Sequence, residues 1–271
     1  MNRPSRLPVA IMAMTALWVA IAPPRSQSAE PTDVRFVAEC DGSTERYVEL
    51  LPPEFDPADR HDLLIALHGH GADRWQFIRE ARDECRGTRE AAAKHGAILV
   101  SPDYRAPTSW MGPKAEADLV QIIAAARTRH RIARVFVCGG SMGGTGALTF
   151  AALHPDLVDG VCALNGTANL VEYRRFLDAI AESFGGTKEE VPEEYRRRSA
   201  ELHAEGLTMP VALTTGGRDD IVPPESVLRL HDTLKALGRP VLLLHRPDRG
   251  HDTDLADTTT AIEFLLFDPP R

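Results

Sequence analysis

The chain has 271 residues, of which 43% are hydrophobic and 26% charged, an ordinary globular composition with length enough for a large core. Its formal net charge of -8 is spread over interspersed acids and bases, which argues against a nucleic-acid partner, since such partners call for a basic face. No internal repeat or low-complexity tract divides it, so residues 29–271 are expected to form one domain.

Arg3 and Arg6 precede an apolar run from Leu7 to Ala22, and small polar residues follow. This layout predicts a secretory signal peptide over residues 1–28, cut after Ser28 or after Ala29, and hence a secreted or periplasmic protein. A membrane anchor is the alternative reading, but the run is short for a span and contains Pro8. Next, "RFVAECDGSTERYVELL" reads as a hairpin turning at Asp41-Gly42. "DLLIALHG" is a continuous apolar run, the pattern of a strand buried on both faces. A helix is expected from about Trp75 to His95, then a buried strand at "AILVSPD". Leu119, Ile122, Ile123 and Ala126 share one face of a helix over Lys114 to His130. "RVFVCG" and "DGVCALNG" are further strands, separated by an Ala/Leu-rich helix. "PVALTTGG" and "PVLLLHRP" follow as strands flanking a helix marked by Val227, Leu230, Leu234 and Leu237, and "TTTAIEFLLF" closes the chain as a helix.

Such alternation predicts a doubly wound, mostly parallel α/β sheet with helices on both faces. Residues 166–208 are longer than a simple crossover needs. They read either as a helical lid insertion over the strand ends or as a crossover helix with a solvated loop; Tyr173, Phe176, Leu177, Ile180 and Phe184 are expected on one helical face. The four cysteines lack the spacing of a zinc or redox site. Cys138 and Cys162 fall in buried strand patterns, whereas Cys40 and Cys85 lie in polar surroundings and could pair.

The stretch "CGGSMGG" places Ser141 among glycines between a strand and a helix. Gly139, Ser141 and Gly143 fit G-x-S-x-G, in which a tight strand-to-helix turn pushes the serine hydroxyl into the open. The turn also sets the Met142 N–H at a helix start, where the dipole favours developing negative charge. A serine nucleophile needs a base, and the base an orienting acid. Asp219 and His251 each follow a strand, on the edge where Ser141 belongs; Asp220 is the rival acid. His245 and His231 fit worse, one lying in a strand pattern and the other in a helix. "LHGHGADR" ends the earlier strand and offers the His70 N–H as a second oxyanion donor. A metal cluster of His68, His70 and Asp73 is the competing reading, and its spacing fits poorly. Tyr104, Arg105 and Trp110 in "SPDYRAPTSWMG" are candidate substrate contacts, or the aromatics of a packed structural loop.

Together "LHGHG", "GGSMGG", "GGRDDIVP" and "RGHD" resemble the α/β-hydrolase superfamily over nearly the whole mature chain. Residues 130–166 resemble prolyl-oligopeptidase-type catalytic domains and secreted feruloyl, acetylxylan and polyhydroxybutyrate esterases, and "EEYRRRSAE" is loosely similar to a Tyr…Ser-Pro segment of the oligopeptidase branch. The resemblance implies the α/β-hydrolase fold and a Ser141–His251–Asp219 triad, with Asp219 preferred over Asp220 by its register before "VP". It implies no cofactor. About 110 residues separate the signal from Ser141, too few for a propeller, which favours an ester hydrolase over a serine peptidase of prolyl-oligopeptidase type. The expected substrate is a small-molecule or polysaccharide-linked ester.

Overall fold

Eight strands form one sheet in the order β1-β2-β4-β3-β5-β6-β7-β8. They are β1 (Thr32–Val37), β2 (Thr44–Leu50), β3 (His61–Leu67), β4 (Ile98–Pro102), β5 (Ile132–Gly140), β6 (Gly160–Leu164), β7 (Val211–Gly216) and β8 (Val241–Arg246). The computed structural model describes residues 30–267, so the expected signal peptide lies outside the described residues. β1 and β2 are antiparallel, as the Asp41-Gly42 turn requires, and β2 is antiparallel to β4; the remaining pairs are parallel.

Side-chain alternation along the strands divides the core in two. Leu63, Ile65, Leu67, Val135 and Val137 face α3 (Pro113–Arg129), α4 (Met142–Leu153) and α7 (Glu225–Ala236). Leu64, Ala66, Phe136, Cys138 and Cys162 face α2 (Asp83–Lys94) and α8 (Leu255–Leu266). Both faces are covered, which is why the strand sequences are continuously apolar rather than alternating. β3 and β5 are neighbours from which the chain winds outward in opposite directions. The crevice beyond their C-terminal ends is the switch point where open α/β sheets bind ligands.

Three local expectations are corrected. The helix expected from Trp75 to His95 is two helices, α1 (Gln76–Arg79) and α2, broken where Glu80 and Arg82 are extended (ψ 142° and 143°). The expected helical face from Tyr173 to Phe184 begins late: Phe176 is left-handed (φ 52°) and caps α5 (Leu177–Phe184) from outside. Tyr173, Ile180 and Phe184 are buried, but Phe176 and Leu177 are exposed; the short helix α6 (Pro192–Arg197) follows. Finally, Cys85 is fully buried in the second core while Cys40 is exposed beside Arg105, and both are free thiols. Among the described residues no helix is long and apolar enough to cross a membrane.

Candidate active site

The elbow is built by backbone contact. A β-carbon on Gly143 would collide with the Leu67 carbonyl at the end of β3, and one on Gly139 with the backbone of Gly143. Strand and helix therefore meet at a distance that only glycine permits. Gly140 differs: a β-carbon there would meet nothing nearer than Glu84 Oε1 at 3.4 Å. Ser141, between them, is held at φ 57° and ψ −116°, a strained conformation for a residue with a side chain. Its N–H donates to Leu164 O (2.8 Å) and its carbonyl accepts from Thr145 N–H (3.0 Å), which fixes the turn. The hydroxyl is left facing the crevice.

Three sequence candidates meet there. Ser141 Oγ lies 2.9 Å from His251 Nε2, and His251 Nδ1 lies 2.6 Å from Asp219 Oδ2. A carboxylate only accepts, so Nδ1 carries the proton and Nε2 is free to accept the serine hydroxyl. Asp219 has a fully buried side chain, and His251 is about one-fifth exposed. Burial alone would raise the Asp219 pKa; the His251 hydrogen bond and the Val222 and Ile221 amides outweigh it and hold the carboxyl below its ordinary value. Those amides donate to Oδ1 at 2.8 and 3.0 Å. Asp220 is exposed, with its carbonyl taken by Arg175. His231 is on α7, with Nδ1 3.0 Å from Asp232 Oδ1, and His245 is in β8.

The loop after β3 lies against the elbow, since a β-carbon on Gly69 would stand 3.9 Å from Ser141 Cβ. Gln76 Oε1 accepts the Gly69 N–H at 2.8 Å and so anchors this loop. The N–H groups of His70 and Met142 donate to no acceptor among the described residues. Met142 opens α4, where the helix dipole adds to its hydrogen bond. A developing oxyanion is stabilised by preorganised N–H donors of this kind.

His68 and His70 are committed to other contacts than a metal. His68 is fully buried, with Nδ1 2.8 Å from Gly69 O and Nε2 3.0 Å from Asp103 O. His70 Nδ1 accepts from Trp110 Nε1–H at 3.2 Å, so its proton is on Nε2; burial lowers its pKa, which favours this neutral form.

Of the two readings of Tyr104, Arg105 and Trp110, the packed structural loop is the one the contacts match, and the substrate-contact reading is corrected. Tyr104 is buried, its hydroxyl spent on His68 O at 2.5 Å. Arg105 is spent on Asp118 and Asp41. Trp110 is fully buried beneath the rings of His70 and Phe176 (centroids 6.0 and 5.4 Å). These residues support the wall of the site; its exposed surface is Phe176, whose ring lies 4.4 Å from that of His70. Two residues at the site stand in no motif of the sequence: Phe176, expected only as one member of a helical face, and Gln76, the anchor of the loop after β3.

Residues 108–265 match the model of the prolyl oligopeptidase family. No curated protein matches the chain. Among solved structures it is similar to FphF, a fluorophosphonate-binding serine hydrolase of Staphylococcus aureus (16% identity, TM-score 0.70, 89% of this chain and 100% of that one). It is similar also to S-formylglutathione hydrolase FrmB of the same organism (14% identity, TM-score 0.65, 88% and 100%). A third is an acylaminoacyl peptidase of Pyrococcus horikoshii (16% identity, TM-score 0.67, 89% of this chain but 41% of that one). At such identities the likeness establishes the α/β-hydrolase fold.

Proposed function

The chain belongs to the prolyl oligopeptidase family, and on that premise we propose that this serine hydrolase cleaves carboxylic esters through Ser141, His251 and Asp219. The observation that carries the reading is the unbroken hydrogen-bond line Ser141 Oγ–His251 Nε2 and His251 Nδ1–Asp219 Oδ2 beside two free amides. His251 takes the Ser141 proton as Oγ attacks the ester carbonyl, and the amides of Met142 and His70 hold the oxyanion. The tetrahedral adduct collapses, and His251 gives its proton to the leaving alcohol. Water then yields a proton to His251 and attacks the acyl carbon; the acid departs and Ser141 regains its proton. Asp219 holds the imidazole in the tautomer both steps need. No step calls for a cofactor.

Features of the rim support an ester with an apolar or aromatic acyl group. Phe176, Leu177 and Ile221 are all more than a third exposed; Phe176 packs on His70, and Ile221 lies two residues past Asp219, an apolar surface of the kind that marks a binding site. On the outer side of the oxyanion loop, a cleft of 530 Å³ is lined by Asp73, Arg74, Trp75, Arg79 and Glu80. Its polar lining suits a hydroxyl-rich alcohol such as a polysaccharide. The Arg-flanked apolar run at residues 7–22 supports export. The family match favours a second reading, a serine peptidase with the same residues. A panel of aryl esters of graded acyl length, run beside peptide anilides, tests the choice. Ester hydrolysis lost in Ser141→Ala is expected; faster Ser141-dependent release from an anilide than from any ester would reverse it.

A further inference from the structure

Asn165 follows β6 and is 5% exposed, with its backbone in the left-handed region at φ 51°, which asparagine tolerates better than most residues. Its Oδ1 accepts from Thr253 Oγ1 and from Thr214 Oγ1 (3.2 Å), and the two hydroxyls meet each other at 2.7 Å. Each hydroxyl has one proton, so where one threonine donates to the other, the second donates to Oδ1, and the carboxylate of Asp219, which only accepts, takes the nitrogen side of the amide. Nδ2 is thereby aimed at Asp219 Oδ2, 3.5 Å away, on the same oxygen that takes His251 Nδ1–H. Asn165, Thr214, Asp219 and Thr253 are all buried. They come from separate strand ends: Thr214 lies in β7, Asp219 follows it, and Thr253 stands two residues past His251, after β8. The Asn165 N–H also donates to Thr214 O at 3.1 Å, closing the network on the backbone.

We propose that Asn165 is a positioning residue for the acid, holding Asp219 Oδ2 toward His251 while its Thr253 contact fixes the loop that carries His251. The inference rests on the Ser141–His251–Asp219 reading above. A carboxylate whose Oδ1 is tied by two amides and whose Oδ2 meets an amide hydrogen has little freedom to turn from the imidazole. The titratable groups that face it are His251 from the loop after β8 and Tyr173 from the segment before α5; Glu84, on α2, faces His251.

The test measures the rate at which an alkyl fluorophosphonate labels Ser141, as a function of pH. Oγ bonds to phosphorus, fluoride leaves and His251 takes the proton, so the rate reads the nucleophile whatever its natural substrate. Asn165→Asp is nearly isosteric and keeps an acceptor facing the threonine hydroxyls, but it replaces the amide donor with a carboxyl. A neighbouring carboxylate raises the pKa of the introduced group. Protonated, that group donates to Asp219; ionised, it repels it. The rate relative to wild type should therefore fall as pH rises, reaching a deficit of about tenfold in the alkaline range. Asn165→Gly, which suits the positive φ, should slow labelling at every pH and lower kcat on an aryl acetate with KM held. An Asn165→Asp ratio that is flat with pH, or an Asn165→Gly rate within twofold of wild type, overturns the proposal. A wild type that is labelled yet cleaves no ester sinks the ester reading and leaves the Asn165 result standing.

Discussion

Around Ser141 the backbone itself sets the geometry: Gly139 and Gly143 are pressed between β3, β5 and α4 with no space for a β-carbon. Across the crevice the loop from residue 103 to 112 is held differently. Tyr104, Arg105, Trp110 and Met111 all have positive φ, a cost that persists only where surroundings over-determine it. Remote side chains do so here. Arg198, with a fully buried side chain, donates to Met111 O (2.7 Å), Glu116 Oε2 (2.7 Å) and Glu194 Oε2 (3.0 Å). Arg105 grips Asp118 and Asp41, and the Pro107 carbonyl accepts from Gly71 N–H at 2.9 Å. One wall is shaped by the absence of side chains, the other by buried charge. The first confines disturbance to the reacting atoms; the second passes it through the fold.

The sharpest break in that comparison is Ser141→Ala. It should reduce turnover by about four orders of magnitude or more while leaving the melting temperature nearly unchanged, because only a hydroxyl is lost. Kinetics and a thermal melt on one preparation check both halves. Asp219→Asn should follow, with a loss of about a thousandfold or more in kcat, since the imidazole would take the wrong tautomer. Asp220→Asn, at an exposed position, should cost little. An Asp220→Asn loss exceeding that of Asp219→Asn would show the acid to be misassigned.

The opposite wall should fail through stability. Arg198→Met leaves Glu116 and Glu194 without their buried partner and should cost about 3–5 kcal/mol, seen as a lower denaturation midpoint in urea. Acid should act on the same cluster. Burial would raise the Glu116 pKa, but hydrogen bonds from His154 and Arg198 and the charges of Arg198 and Arg197 hold it down at about 2. A carboxyl depressed in the folded state stabilises it above its unfolded value. That stability is lost as pH falls from the ordinary glutamate range, about 4.3, through the folded value of about 2. The loss is on the order of 3 kcal/mol, and Glu116→Gln should remove that share of the pH dependence in this window, leaving the part carried by other depressed carboxyls such as Asp219. The smallest effect expected is that of Glu84→Gln. Burial raises the Glu84 pKa, while the charges of Arg82 and His251 oppose the rise. Removing a carboxylate within electrostatic reach of His251 should disfavour the imidazolium and move the acid limb of kcat/KM downward by a few tenths of a pH unit; a limb that moves upward would contradict this.

The features legible in the residues alone are those whose physics is local or periodic. Continuous apolar runs gave a sheet covered on both faces, the glycines of "CGGSMGG" gave an elbow that no larger residue could form, and residues placed just after strands came together at one sheet edge. The breaks at Glu80 and Arg82 and the left-handed turn at Phe176 were not legible, because no glycine or proline marks either place. The same holds for function assigned to side chains outside motifs. Tyr104, Arg105 and Trp110 looked available to a substrate because nothing local revealed their partners, His68, Asp118 and His70. Arg198 is one of three adjacent arginines, and only the packing that sets it against Met111, Glu116 and Glu194 decides which of them is buried: burying a guanidinium is tolerable only where carboxylates and carbonyls already converge to receive it.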